Sequence, residues 1–249
     1  MRTLAIWSIK GGVGKTAAAV NIAHAASLRG TRTLLWDLDP QGAASFYLRV
    51  PAQLEGGTRV VVDHTTDLGW HARPTEFDNL SLLPADFSFR RLDLELDATK
   101  KPRKQIARRL EPLAPRFDLV ILDCPPSVSL VSEAVVRAAD AVLVPVIPST
   151  LSMRTLEQIR DFVTEHGRGR TTLLPFLSMV DQRKRMHLDL CESCLADPGF
   201  LRTVIPSARV VERMGLTRAP VAATLPSQPV AKAFAELWEE VATRMRAGR

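Results

Sequence analysis

Seven residues concentrate the chemistry of this chain: Lys10-Gly11-Gly12-Val13-Gly14-Lys15-Thr16, set between an apolar run at 4–9 and a helix-forming run at 17–26. A strand that breaks into glycines and re-enters as a helix curls backbone N–H groups around an anion, and the helix dipole adds to the attraction. Gly11, Gly12 and Gly14 permit that turn. In the phosphate-loop pattern G-x-x-x-x-G-K-[ST] a glycine stands five residues before Gly14, and here Ile9 occupies that place, so the loop is a variant. Lys15 is spaced to reach β- and γ-phosphates and the Thr16 hydroxyl to ligate Mg²⁺. Val13 and Ala17 meet the phosphates through their backbone. The pattern gives Lys10 no role.

Such a loop can bind nucleotide without hydrolysing it, so neighbouring carboxylates decide the chemistry. The apolar run at 117–122 ends in Asp123, and an aspartate at a strand's C-terminal end beside a phosphate loop can hold Mg²⁺ through water. The run at 33–36 leads into Asp37-Leu38-Asp39-Pro40-Gln41-Gly42. Any one of these aspartates could instead cap the turn that follows it.

Positioning those groups requires strands whose ends converge. Apolar, β-branched runs recur at 4–9, 33–36, 80–83, 119–122, 141–147, 172–177 and 203–205, and helical patterns fill 17–28, 104–113, 130–138, 151–163 and 184–195. The alternation predicts an α/β fold: a doubly wound, mostly parallel sheet flanked by helices, in a single domain over 1–249. Residues 49–79, with Pro51, Gly56-Gly57, Gly69 and Pro74, form the least regular stretch and read as an insertion holding a short helix or two.

The chain of 249 residues is 46% hydrophobic and 24% charged, enough to bury a sizeable core. No stretch approaches the roughly 18–20 unbroken apolar residues of a membrane span, and no signal-peptide pattern opens the chain. Three cysteines make no disulfide framework. These features predict a cytoplasmic protein. Of the net charge of +6, most lies in the last third, where 168–249 holds 13 Lys or Arg against 8 Asp or Glu. That excess suits a polyanion such as nucleic acid, or is a solvated face.

The second lysine and its context resemble the deviant Walker A loop of the ParA/MinD family of ATPases, K-G-G-x-G-K-[ST] after the first strand. The resemblance implies a P-loop NTPase fold, ATP or ADP with Mg²⁺ as ligands, and Lys10 as the signature lysine reaching the partner's phosphates across a nucleotide-sandwich homodimer. Asp37-Leu38-Asp39-Pro40-Gln41-Gly42 is similar to the family's D-x-D-P-Q-G, which assigns Asp39 to the attacking water and Asp37 to the metal's surroundings. Asp123-Cys124-Pro125-Pro126 resembles its Walker B strand and switch. Ser178-Met179-Val180-Asp181-Gln182-Arg183 and Thr203-Val204-Ile205-Pro206 fall at late strands, giving Asp181 and Pro206 to the adenine pocket. Coverage of most of the chain implies the short, single-domain ParA type, without an added helix-turn-helix domain.

The same resemblance implies nonspecific double-stranded DNA as a partner, through Arg183, Arg209 and Arg213, a nucleoid-associated location, and an activating ParB-like or cargo-adaptor protein. The chain departs from the pattern at Ser8-Ile9, Ala17 and Ala43. It also departs after Pro206, where a DNA-contacting arginine of relatives falls on Val210 and Arg209 stands one residue off. Two alternatives accompany this reading. His187, Cys191 and Cys194 share a helix face and suggest an iron–sulfur carrier, although a fourth ligand is missing. The stripe Ala231, Phe234, Leu237, Trp238, Val241 and Met245 could mimic a MinD-like membrane tail, against which Glu236, Glu239 and Glu240 would repel an anionic bilayer. Trp7 and Trp36 adjoin the active loops without a role that sequence supplies.

Overall fold

Continuously apolar strands need cover on both faces, and the chain supplies it by returning each strand through a helix. In the computed structural model, whose described residues are 1–247, one eight-stranded sheet runs β3-β4-β2-β5-β1-β6-β7-β8. Its strands are β1 (Arg2–Ile6), β2 (Thr33–Asp37), β3 (Arg73–Pro74), β4 (Leu80–Leu83), β5 (Leu119–Asp123), β6 (Ala141–Val146), β7 (Thr172–Val180) and β8 (Val204–Pro206). All pairings are parallel except the short edge pair β3–β4.

One face carries α1 (Lys15–Leu28), α2 (Ala43–Tyr47), α9 (Arg209–Glu212), α10 (Met214–Thr217), α11 (Val221–Thr224) and α12 (Pro229–Ala247). The other carries α3 (Arg59–Val62), α4 (Leu92–Asp97), α5 (Gln105–Leu110), α6 (Leu130–Ala138), α7 (Thr150–His166) and α8 (Arg185–Ala196). Helix α1 is rich in alanine, which favours helix and lets it lie close on the sheet.

The differences from the sequence expectations have local causes. The run at 4–9 stops being strand after Ile6, because the phosphate loop's approach begins at Trp7. The helix expected at 104–113 divides into α5 and a 3₁₀ turn at Glu111–Leu113, where Pro112 removes the backbone donor that a continuing helix needs. Strand β7 runs past 177 to Val180 through a register shift against β8. Helix α4 lies outside the helical patterns of the sequence, and the 49–79 stretch contains α3, a 3₁₀ turn at Leu68–His71 and β3.

Helix α12 corrects the membrane-tail alternative. Its stripe of Val230, Ala231, Phe234, Leu237, Trp238, Val241 and Met245 is buried, and the helix packs along α1. Among the described residues no helix is long and apolar enough to cross a membrane.

Candidate nucleotide site

Strands β1, β5 and β2 end side by side, and their register sets Ile6 and Asp37 opposite Asp123. The loop leaving β1 therefore emerges beside two carboxylates. Gly12 and Gly14 take φ of 70° and 91°, a region where a side chain is strained. At Gly14 a Cβ would also stand 3.2 Å from Ser178 Oγ, a hydroxyl that donates to the Val13 carbonyl at 3.0 Å. Helix α1 begins at Lys15 with no side-chain cap on its N-terminus. Its first N–H groups, around Thr16 and Ala17, are thus left for an anion in the loop. Gly11 and Gly12 are exposed and Lys10 is half-buried at the rim. Lys15 is buried, and its Nζ donates to the Lys10 carbonyl at 3.0 Å. Burial lowers the Lys15 pKa while Asp123, Cys124 and Asp39 pull it back up.

The three aspartates divide the work. Asp123 is fully buried, and among the described residues neither of its carboxylate oxygens has a partner in good hydrogen-bond geometry. Burial and then the neighbouring Asp37 push its pKa well up, opposed by the nearby Thr16 hydroxyl and Lys15. A buried carboxylate in that condition is stabilised by a cation, and an oxygen donor set of Asp123 and Thr16 suits a hard divalent ion such as Mg²⁺. Asp37, expected in the metal's surroundings, lies beside Asp123 in register but has hydrogen-bond partners of its own. Its Oδ2 accepts from the Ser45 backbone N–H and hydroxyl, both at 2.8 Å, and its Oδ1 accepts from the Asp39 N–H at 3.3 Å. Asp37 thereby braces the start of α2 and the turn bearing Asp39, with burial raising its pKa to about 6 against those hydrogen bonds. Asp39 is half-buried, and its Oδ1 accepts from the Gln41 N–H at 2.9 Å.

Beside the loop lies a cavity of about 200 Å³ lined by Gly12, Gly14, Ala17, Tyr47, Met179 and Pro206, among others. Pro206 is part of that lining. Asp181 does not line this cavity: both its oxygens accept from the Arg183 guanidinium at 2.9 Å, which holds its pKa down at about 2. Pro206 and an apolar wall therefore bound the cavity, and Asp181 is paired with Arg183 outside it. A roomier concavity of about 420 Å³ opens near the start of β7, at the opposite end of the sheet, lined by Arg160, Thr171 and Asp197.

Arg209 and Arg213 are exposed around α9, whereas Val210 is partly buried against the core. The one-residue offset therefore turns the arginine outward and the valine inward. Nearby, Arg49 and Arg218 tie α2 to α10. Arg49 donates to the carbonyls of Arg218 and Thr217, and Arg218 donates to that of Phe46.

The iron–sulfur alternative is corrected. His187 Nδ1 accepts from the Asp181 N–H at 3.1 Å, and Cys194 Sγ lies 3.6 Å from Met153 Sδ in the core. Burial pushes both α8 thiols up in pKa. Among the described residues no group of three or more His, Cys, Asp or Glu is arranged to hold a metal. Ser45 and Ser178 brace the site without having been singled out from sequence. Ser45 leaves a faint signal in its place near the start of a helix after D-x-D, and Ser178 opens a segment resembling a family strand, but its bond to Val13, 165 residues away, leaves no local mark.

A glycine-turned loop opening a helix, beside buried carboxylates at the switch of a parallel sheet, defines a P-loop nucleotide-binding protein. The family model described as an AAA domain matches residues 1–173. The chain is 28% identical to the sporulation initiation inhibitor protein Soj of Bacillus subtilis, over 97% of this chain and 98% of that protein. It is 30% identical to the virulence plasmid ParA family protein pGP5-D of Chlamydia trachomatis, over 97% and 94% respectively. Among solved structures it resembles cobyrinic acid a,c-diamide synthase from Mycobacterium smegmatis with bound ADP and magnesium. That likeness has a TM-score of 0.81 and 25% identity over 100% of this chain and 97% of the other. The chain belongs to the ParA/MinD family of P-loop ATPases.

Proposed function

We propose that this chain is a ParA-type ATPase that cycles between a monomer and an ATP-sandwiched homodimer, binds nonspecific duplex DNA in its ATP state, and positions a cargo. The cargo is a plasmid, a chromosome origin or a protein assembly. The observation that carries the reading is the meeting of a two-lysine phosphate loop with Asp123, a buried carboxylate lacking, among the described residues, a partner in good hydrogen-bond geometry. The relatives that bear partition names and the neighbour bound to ADP and magnesium support ATP, ADP and Mg²⁺ as ligands.

In this reaction water attacks the γ-phosphate in line with the leaving oxygen. Asp39, on the turn braced by Asp37, orients the water. Lys15 and the N–H groups of Gly11 to Ala17 hold the phosphates and neutralise developing charge. Thr16 and Asp123 would hold Mg²⁺, which would supply further charge neutralisation. Lys10, at the rim, completes the partner's site. Dimerisation sets two copies of Arg183, Arg209 and Arg213 on DNA phosphates without sequence readout. A ParB-like or cargo-adaptor protein triggers hydrolysis and release, in the cytoplasm and on the nucleoid.

The test is a gel-shift titration of nonspecific duplex DNA with ATP, ADP or no nucleotide, repeated with Lys10→Ala and Asp39→Ala. The expected result is binding that needs ATP, vanishes in Lys10→Ala and persists in Asp39→Ala. Binding indifferent to nucleotide would remove the DNA-positioning role.

A further inference from the structure

Trp7 is the first residue after β1, three before Lys10, and is fully buried. Its indole N–H donates to the Ser127 carbonyl at 3.0 Å. Ser127 lies in the 124–129 segment that leads from Asp123 to α6, a segment exposed at Pro126 and Val128. That segment is held at few points. The Cys124 N–H donates to the Ile6 carbonyl at 3.3 Å, at its root. The Ser127 carbonyl then accepts from Trp7 and, at 2.8 Å, from the Ser132 hydroxyl of α6.

The indole's direction is set by packing. Its ring meets Phe162 of α7 with centroids 4.8 Å apart, and Phe162 meets His166 at 4.4 Å. A phenylalanine could fill much of this space, but only an indole adds a donor at that reach. Trp36 supplies the contrast. It is equally buried in the same core cluster, yet among the described residues its indole N–H has no partner. One tryptophan packs; the other packs and binds a loop.

We infer that Trp7 is a positioning residue that ties the segment after Asp123 to the root of the phosphate loop, so that the two move as one unit when nucleotide binds. The inference rests on the ATPase reading for its consequence in turnover, not for the clamp itself. With the bond made, Asp123 and the residues after it keep their place beside Lys15 and Thr16 while the γ-phosphate reacts. Without it, the segment keeps its root at Cys124 and its contacts with Ser132 of α6 but loses its tie to the phosphate loop.

The experiment is amide hydrogen exchange over 124–130 in the full chain, together with kcat and KM for Mg²⁺-dependent ATP hydrolysis, in wild type, Trp7→Phe and Trp36→Phe. Loss of one buried hydrogen bond is expected to speed exchange of the segment by about 3–10-fold in Trp7→Phe. It is also expected to lower kcat by a similar factor with KM within about twofold. Trp36→Phe, the matched loss of ring volume, leaves exchange of the segment at the wild-type rate. Unchanged exchange in Trp7→Phe, or an equal rise in Trp36→Phe, overturns the clamp. A freed segment with unchanged kcat overturns its role in turnover. Should Trp7→Phe fail to fold, the four tryptophans are replaced biosynthetically by 3-benzothienylalanine, which keeps ring shape but lacks the N–H, and the same exchange is read. A wild type that hydrolyses no ATP defeats the ATPase reading alone, because exchange of 124–130 judges the clamp independently.

Discussion

Asp37 and Asp123 are neighbours in register with the same side chain, yet one is saturated with hydrogen bonds and the other has, among the described residues, no well-formed one beyond the nearby Thr16 hydroxyl. A buried carboxylate without a partner weakens the fold until a cation arrives. Asp123→Asn is therefore expected to raise the melting temperature of the metal-free protein, by about 2–4 °C for each kcal/mol recovered, and to abolish stabilisation by Mg²⁺ with ATP. Differential scanning calorimetry of both proteins with and without ligand checks this. The pH dependence has a definite sign. Asp37 keeps its proton up to about pH 6 when folded, against an ordinary value of 3.8. The native state thus binds more protons across that window, and stability of the metal-free protein falls as pH rises through it. Asp123, raised in the same direction, adds to the fall. Thermal melts from pH 4.5 to 8 should show this decline without metal and a flatter profile with Mg²⁺ and ATP. Sequence spacing named both aspartates but could not tell them apart, because the distinction lies in Ser45, whose hydroxyl reaches Asp37 only once α2 has formed.

Elements place these side chains, and the phosphate loop shows how tightly. Gly14 combines a left-handed φ with the nearby Ser178 hydroxyl. Gly14→Ala is expected to cost about 1–2 kcal/mol of stability from backbone strain. It should also weaken nucleotide binding severely, since the N–H groups of the loop and of α1 turn away from their common centre; titration calorimetry with an ATP analogue reads the loss. On the same face, α12 closes over α1. Leu237 is fully buried there, so Leu237→Ala should destabilise the chain by about 2–5 kcal/mol in chemical denaturation. The wild type should not float with anionic liposomes, because the apolar stripe is already occupied. Helical spacing made that stripe legible, but what covers it depends on α1, more than 200 residues earlier in the chain. Pro112 was equally visible, and its breaking of the expected helix follows from its missing donor.

At the scale of the whole molecule, the basic excess resolves into arginines of different standing. Arg209 and Arg213 are exposed around α9, whereas Arg183 is paired with Asp181. If DNA is held through phosphates, Arg209→Ala and Arg213→Ala should each reduce the slope of log affinity against log salt by about one per site. Asp181→Asn, by releasing Arg183, should strengthen DNA binding while leaving ATP affinity unchanged. Filter binding across a salt series measures both. The sequence by itself determined the α/β alternation, the phosphate loop with its added lysine, and the aspartates at strand ends. Those properties depend on local order, apolar periodicity and glycine placement, which neighbouring residues encode. Only the tertiary structure decided that Asp37 is bonded to Ser45 while Asp123 lies buried without such partners, that Asp181 is paired with Arg183, that α12 is covered, and that Trp7 reaches Ser127. Each is a relation between side chains set by sheet register and helix docking, and a one-dimensional pattern carries no record of which distant groups will meet.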